Sequence, residues 1–296
     1  MFLIFDLVGG FTDMLKDLVS IYNFTEEHSY KFTIRNSTSR KYNDPCTFTN
    51  YPIDNLINTK SFEHNKYYVN YIEIQNKLND SNTYDFFKDK VKGNLWKNIS
   101  FLKVNDVVNC INNCNKEHVI IGGSFWSYTN LYNIQQIANI FKTLTPNDKI
   151  IAELNKNHIT EKYNCIHYRY EPDWINNLKK QGIPYIVPPI DELIHHLSFS
   201  NNYLLYICTG DIENLHSKNL LYHDLKSYKN IIYKEKNNLN YDENGFLDLL
   251  ITLNCEEFYG NNISGFTKLA SKLKNTNNFY NEMQCFEKYD IIKSLV

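Results

Sequence analysis

Apolar residues fall in short runs along this chain, and between the runs lie stretches with three- and four-residue apolar spacing. The first run, MFLIFDLV at 1–8, is apolar apart from Asp6 and predicts a buried strand. Gly9 and Gly10 follow, then a helix over 12–23 with Thr12 or Asp13 placed to cap it. A second strand is expected at 31–34. From 43 to 79 the chain is polar, Tyr-rich and irregular, as in a long excursion or a set of short elements. Helices are expected at 84–92 and 104–113, then a strand at 118–121 ending in Gly122-Gly123. The aromatics Trp126, Tyr128 and Tyr132 come next, suited to a sugar cleft or to packing. Helices over 134–144 and 149–157 close the first half.

The second half alternates more regularly. A strand at 163–169 leads to helix 173–181, with Gly182 as its cap. Pro188-Pro189 precedes helix 190–197, and strand 203–208 ends in Thr209-Gly210-Asp211. A helix at 212–224 and a strand at 230–233 follow. Gly245 opens helix 246–254, 257–260 is a short strand or turn, and helix 264–274 comes last. Strands and helices in this rhythm predict an α/β chain with parallel sheets. The expected boundary divides the chain into domains 1–158 and 159–296. Ligands of such sheets sit beyond the carboxyl ends of the strands, where Arg169, Asp211 and Ser264 all fall.

Composition narrows the function. The 296 residues are 43% hydrophobic and carry a formal net charge of -2, which argues against non-specific nucleic-acid binding, since that needs a basic face. No basic leader precedes an apolar stretch, and no run approaches the roughly 18 apolar residues of a membrane span. The 7 cysteines lack a dense spacing pattern and read as reduced thiols in a cytoplasmic setting. Cys110, Cys114 and His118 share helical spacing, but no fourth metal ligand accompanies them. Heavy use of Asn, Lys, Ile and Tyr indicates an AT-rich genome.

Three stretches carry candidate chemistry. In HYRYEPDW at 167–174, period two places His167, Arg169 and Glu171 on one side of an extended chain, and Pro172 ends it. Arg169 is the last Arg of a chain that otherwise uses Lys from residue 41 onward. That suggests a need for a planar, bidentate fork, for a phosphate or for an ion pair with Glu171 or Asp173. Gly9-Gly10 before a helix forms either an anion-binding turn or an ordinary tight one. In GNNISGFT at 260–267, small residues and hydroxyls stand at a helix start, where free N–H groups can take phosphate. Asp248 lies in the apolar run FLDLLITLN and needs a partner: a guanine edge or a structural Lys.

Together these motifs resemble the protein O-fucosyltransferase family of GT-B glycosyltransferases. HYRYEPDW is similar to the family's H-x-R-Y-E-x-D segment. VPPIDELIHHL followed by YLLYICTGDIE resembles its Pro-rich helix and acid-ended strand. FLDLLITLNCEEFYGNNISGFTKL resembles its Asp-bearing helix and D-x-F-x-G-N-x-x-S-x-F-T.

The resemblance implies a GT-B-like fold, with two Rossmann-like domains and a cleft between them. Residues 1–158 would face the acceptor and 159–296 would hold the nucleotide sugar. It implies inverting, metal-independent transfer of fucose from GDP-fucose to a protein or glycan hydroxyl. Arg169 would stabilise the leaving diphosphate; apart from the resemblance, Asp13, or less favourably Asp6, is placed either to take the acceptor proton or, for Asp13, only to cap its helix. Gly9, Gly10, His167, Thr209, Asp211, Asp248, Asn262, Ser264, Gly265, Phe266 and Thr267 would line the donor site. No cofactor or metal is expected, nor nucleic acid, nor a transmembrane segment. A cytoplasmic and viral enzyme of fucose metabolism suits the composition. Departures fall in the first turn, where Thr12 and Asp13 stand in place of the family's Asn and Gln. The rival readings are a GT-B enzyme using another GDP-sugar, such as GDP-rhamnose, and a non-catalytic nucleotide-binding module. A Rossmann-type oxidoreductase lacks its G-x-G-x-x-G.

Overall fold

The computed structural model describes residues 1–41, 44–86, 104–122, 125, 132–169, 190, 203–210, 231–234, 237–261, 264–276 and 279–280. The chain forms two compact units, Met1–Ile150 and Ile151–Val296. The division falls inside a helix, somewhat before the boundary expected from sequence.

The first unit is built on β1 (Phe2–Leu7), whose Leu3, Ile4, Phe5 and Leu7 are fully buried. A strand apolar on both faces belongs in the middle of a parallel sheet covered on both sides. β1 accordingly pairs in parallel with β2 (Lys31–Lys41) on one side and β5 (His118–Ile121) on the other. Helix α1 (Phe11–His28) connects β1 to β2 and buries Met14, Leu15, Leu18, Val19 and Ile21. It ends at Ser29, in the left-handed region at φ 56°, whose N–H returns to the last turn. Phe5, Phe24 and Phe125 stack edge to face beneath the sheet, with ring centroids 5.0 and 5.3 Å apart.

Two expectations for this unit need correction. The segment after 43 holds short elements, as one of the two readings had it, but it opens with a longer strand, because β3 (Asp44–Pro52) pairs antiparallel with β2. It is followed by short helical turns, with α2 at Tyr71–Ile74. The start of the expected helix 84–92 is instead strand β4 (Thr83–Asp85), parallel to β5. Pairing with a sheet edge outweighs local propensity there. The sheet order is β3-β2-β1-β5-β4. Helices α3 (Val104–Asn112), α4 (Ile134–Phe141) and α5 (Asp148–Lys156) follow close to their expected positions.

The second unit is organised around β6 (Tyr163–His167), buried at all five positions. β7 (Leu204–Cys208) and β8 (Ile231–Ile232) add to one side of it, β9 (Phe258–Asn261) and β10 (Phe279–Tyr280) to the other. All pairings are parallel, in the order β10-β9-β6-β7-β8. The chain thus leaves β6 in one direction and returns on its far side. The crevice between the carboxyl ends of β6 and β9 is the topological switch point, where open parallel sheets bind ligands.

Two helices frame that crevice. α6 (Tyr241–Leu253) starts four residues before the Gly245 expected to open it. Asn240 caps it, accepting from the N–H groups of Asp242 and Glu243, while the Glu243 carboxylate accepts from the Asn240 N–H. α7 (Gly265–Lys274) begins after Ser264 and ends at Asn275, at φ 55°. No helix among the described residues is long and apolar enough to cross a membrane.

Candidate active site

The side chains at the switch point join β6 to α7. His167, the last residue of β6, pairs in register with Gly260 of β9. Its Nδ1 shares a 2.8 Å hydrogen bond with Thr267 Oγ1, and its ring lies 4.5 Å from that of Phe266. Gly260 makes this approach possible. A Cβ there would stand 2.5 Å from both Oγ1 and Cγ2 of Thr267. Two residues past His167, the Arg169 Nη1 donates to Ser264 Oγ across the crevice at 3.5 Å. The Ser264 hydroxyl makes no cap bond to its own helix. The first turn of α7 therefore lacks the acceptor that a capping Ser ordinarily supplies, and its positive end faces the guanidinium side of the crevice.

Burial, with the positive charges of Arg169 and Lys234, pushes the His167 imidazole down to about 3. It is neutral across the physiological range, so positive charge here comes from Arg169, Lys234 and the helix terminus. Thr209, at the carboxyl end of β7, is buried, and its hydroxyl has no hydrogen-bond partner among the described residues.

Asp248 has the partner it required. Tyr206 OH donates to Oδ1 at 2.8 Å and Lys234 Nζ donates to Oδ2 at 2.5 Å. Burial and the adjacent carboxylate push the Tyr206 phenol well above its ordinary range. Of the two partners expected for Asp248, the Lys is present, as Lys234; Tyr206 and the packing role of Gly260 are not marked by any motif in the sequence. A Lys directly after an apolar strand was the available signal for Lys234. Asp211 and Asn262, and Glu171, Asp173, Trp126 and Trp174 with them, lie outside the described residues.

The β1–α1 turn is built differently. Gly9 sits at φ 109°, a conformation that favours glycine, and a Cβ there would lie 2.8 Å from Asp13 Cβ. Gly10 is the residue before α1, and the N–H groups of Asp13 and Met14 return to its carbonyl. Asp13 accepts from Lys16 Nζ at 2.7 Å. Asp17, fully buried, accepts from the Val8 N–H at 3.1 Å. Asp6 is gripped by Arg35 through Nε at 3.0 Å and Nη2 at 2.5 Å, which raises the guanidinium further. The stripe of Cys110, Cys114 and His118 does not form: α3 ends at Asn112 and His118 belongs to β5. Among the described residues no group of three metal-ligating side chains occurs.

No protein-family model matches the chain, and no curated protein matches it. Solved structures do. POFUT1 in complex with GDP-fucose superposes with a TM-score of 0.63 at 10% identity, over 94% of this chain and 97% of that one. The α-1,6-fucosyltransferase NodZ, soaked with GDP-fucose, gives 0.56 at 14% identity over 92% of both chains. NodZ from Bradyrhizobium gives 0.55 at 12% identity, over 92% and 93%. The fold is that of the GT-B fucosyltransferases, a mixed α/β chain with parallel sheets.

Proposed function

We propose that this protein is a fucosyltransferase that uses GDP-fucose as donor and a protein or glycan hydroxyl as acceptor. One observation carries the reading: Arg169 and Ser264 meet across the switch point of the second sheet, beside a helix start without a side-chain cap. The neighbours in fold that were solved with GDP-fucose support it. In this reading the diphosphate lies between the Arg169 guanidinium and the N–H groups of Gly265, Phe266 and Thr267. The hydroxyls of Ser264 and Thr209 lie beside it, and Asp248 faces the base.

Transfer is then a direct displacement. The acceptor oxygen attacks the anomeric carbon as the bond to the diphosphate breaks, so configuration inverts. The transition state has oxocarbenium character at the sugar. Negative charge accumulates on the departing GDP, where a fixed guanidinium and oriented N–H dipoles stabilise it without a metal ion. Neutral His167, anchored by Thr267, keeps its place without adding charge. Asp13 is the candidate acceptor of the hydroxyl proton, with Gly9 and Gly10 shaping the turn that presents it.

The test is calorimetric titration with GDP, UDP and ADP in the absence of metal, then GDP-fucose turnover, beside Arg169→Ala. GDP should bind selectively, and the substitution should weaken binding about 100-fold, as expected for loss of a charge-assisted bidentate contact. A preference for UDP with Mn²⁺ would overturn the reading.

A further inference from the structure

This inference rests on the donor site just proposed and concerns a residue so far described as the partner of Asp248. Lys234 stands two residues past β8, and its side chain is 13% exposed, that of Asp248 7%. Asp248 is the one hydrogen-bond partner of its ammonium among the described residues. An ammonium has three donors, so two are unused. Leaving them unused in a nearly dry setting is costly unless a ligand brings acceptors. Lys234 also lies near enough to His167 to act, with Arg169, on the charge of the imidazole. It therefore shares the carboxyl edge on which Arg169 meets Ser264.

The form of the pair indicates which part of a donor it would meet. A diphosphate is matched by cations alone, and the Asp248 carboxylate beside Lys234 would repel it. A purine edge with an acceptor next to a donor matches a cation next to an anion. Guanine has this order, O6 beside N1–H. Adenine has the reverse, an N6 amino group beside a bare N1, which would set donor against donor and lone pair against carboxylate.

We propose that Lys234 is a base-selecting residue of the donor site: its ammonium donates to O6 of a 6-oxopurine while Asp248, steadied by Tyr206, accepts from N1–H. Selectivity then comes as much from rejecting adenine as from binding guanine.

The experiment is titration of the wild-type chain with GDP, IDP, purine riboside diphosphate and ADP, followed by Lys234→Met and Lys234→Gln. IDP keeps O6 and N1–H, whereas purine riboside has hydrogen at position 6. The wild-type protein should bind GDP and IDP about tenfold or more tighter than the other two. Lys234→Met should erase most of that preference while leaving ADP within about twofold, and Lys234→Gln, a neutral donor, should recover part of it. Equal binding of IDP and purine riboside diphosphate by the wild-type chain would overturn the proposal, with no variant required to fold. So would an equal loss of GDP and ADP affinity in Lys234→Met. If GDP binds selectively but position 6 is not read, the role of Lys234 falls alone. If no nucleoside diphosphate binds, the donor-site reading falls with it.

Discussion

Past the end of β1, Asp13 and Asp17 bind the turn they belong to, while Asp6 within the strand is held by Arg35 of β2. At the ends of β6 and β9 polar side chains reach across to another part of the chain. Asp13 takes Lys16, three residues on, and Asp17 takes the N–H of Val8, nine residues back. Arg169 and Ser264 are 95 residues apart, and His167 and Thr267 are 100 apart. Both places have a strand, a glycine and a helix start. The first uses local partners to fix the backbone of a turn. The second uses distant partners to join the end of β6 to the start of α7. A glycine before a helix is therefore compatible with two kinds of construction, one held by neighbours in sequence and one held by distant partners.

That comparison can be attacked at several points. Gly260→Ala should do the most damage, because its methyl group would occupy the space of the Thr267 side chain. A loss on the order of 2–3 kcal/mol is expected in denaturant melts, with GDP affinity falling at least about tenfold as His167 loses its anchor. Full stability with full affinity would mean that the contact between β9 and α7 is slack.

His167 offers a pH test. Its folded value of about 3 lies below the ordinary 6.5, so the unfolded chain binds more protons than the native one as pH falls below 6.5. The stability it confers is complete above pH 6.5 and declines towards pH 3, at up to about 1.4 kcal/mol per unit, or about 2 kcal/mol by pH 5. His167→Asn should flatten that slope in thermal melts between pH 7 and 5. An unchanged slope would place the effect on another group.

Gly9→Ala should cost on the order of 1–2 kcal/mol through its backbone conformation and the closeness of Asp13. GDP affinity should stay within about twofold. A tenfold loss would bring the first turn into the donor site and erase the contrast. Lys16→Ala should have the smallest effect, under about 1 kcal/mol by chemical denaturation, because its pair with Asp13 is partly exposed.

Much of this was legible in the amino-acid order. The apolar runs at 1–8 and 163–167 mark the two buried central strands, since burial on both faces leaves little room for polar residues. Arg169 stood out in a chain that prefers Lys, and Ser264 to Thr267 stood out as small residues and hydroxyls before an amphipathic helix. Other parts were hidden for physical reasons. Lys234 is one of many lysines, and its burial depends on Asp248 meeting Tyr206 in space. Residues 83–85 form a strand because an edge of β5 is available, which no local pattern records. β10 is two residues long and exists through its pairing with β9. The true start of α6 was readable: Asn240 and Glu243 are spaced as a capping box, but the glycine at 245 drew the boundary inward.

The long separations across the crevice also bear on how the chain matures. Closing a loop of about a hundred residues carries an entropy cost that must be met before its contacts repay it, and parallel pairings of this range form slowly. β9 lies beside β6 although β7, β8 and α6 come between them in the chain. A ligand that binds only the finished crevice would therefore stabilise the whole chain by mass action, because the unfolded chain has no such site to offer.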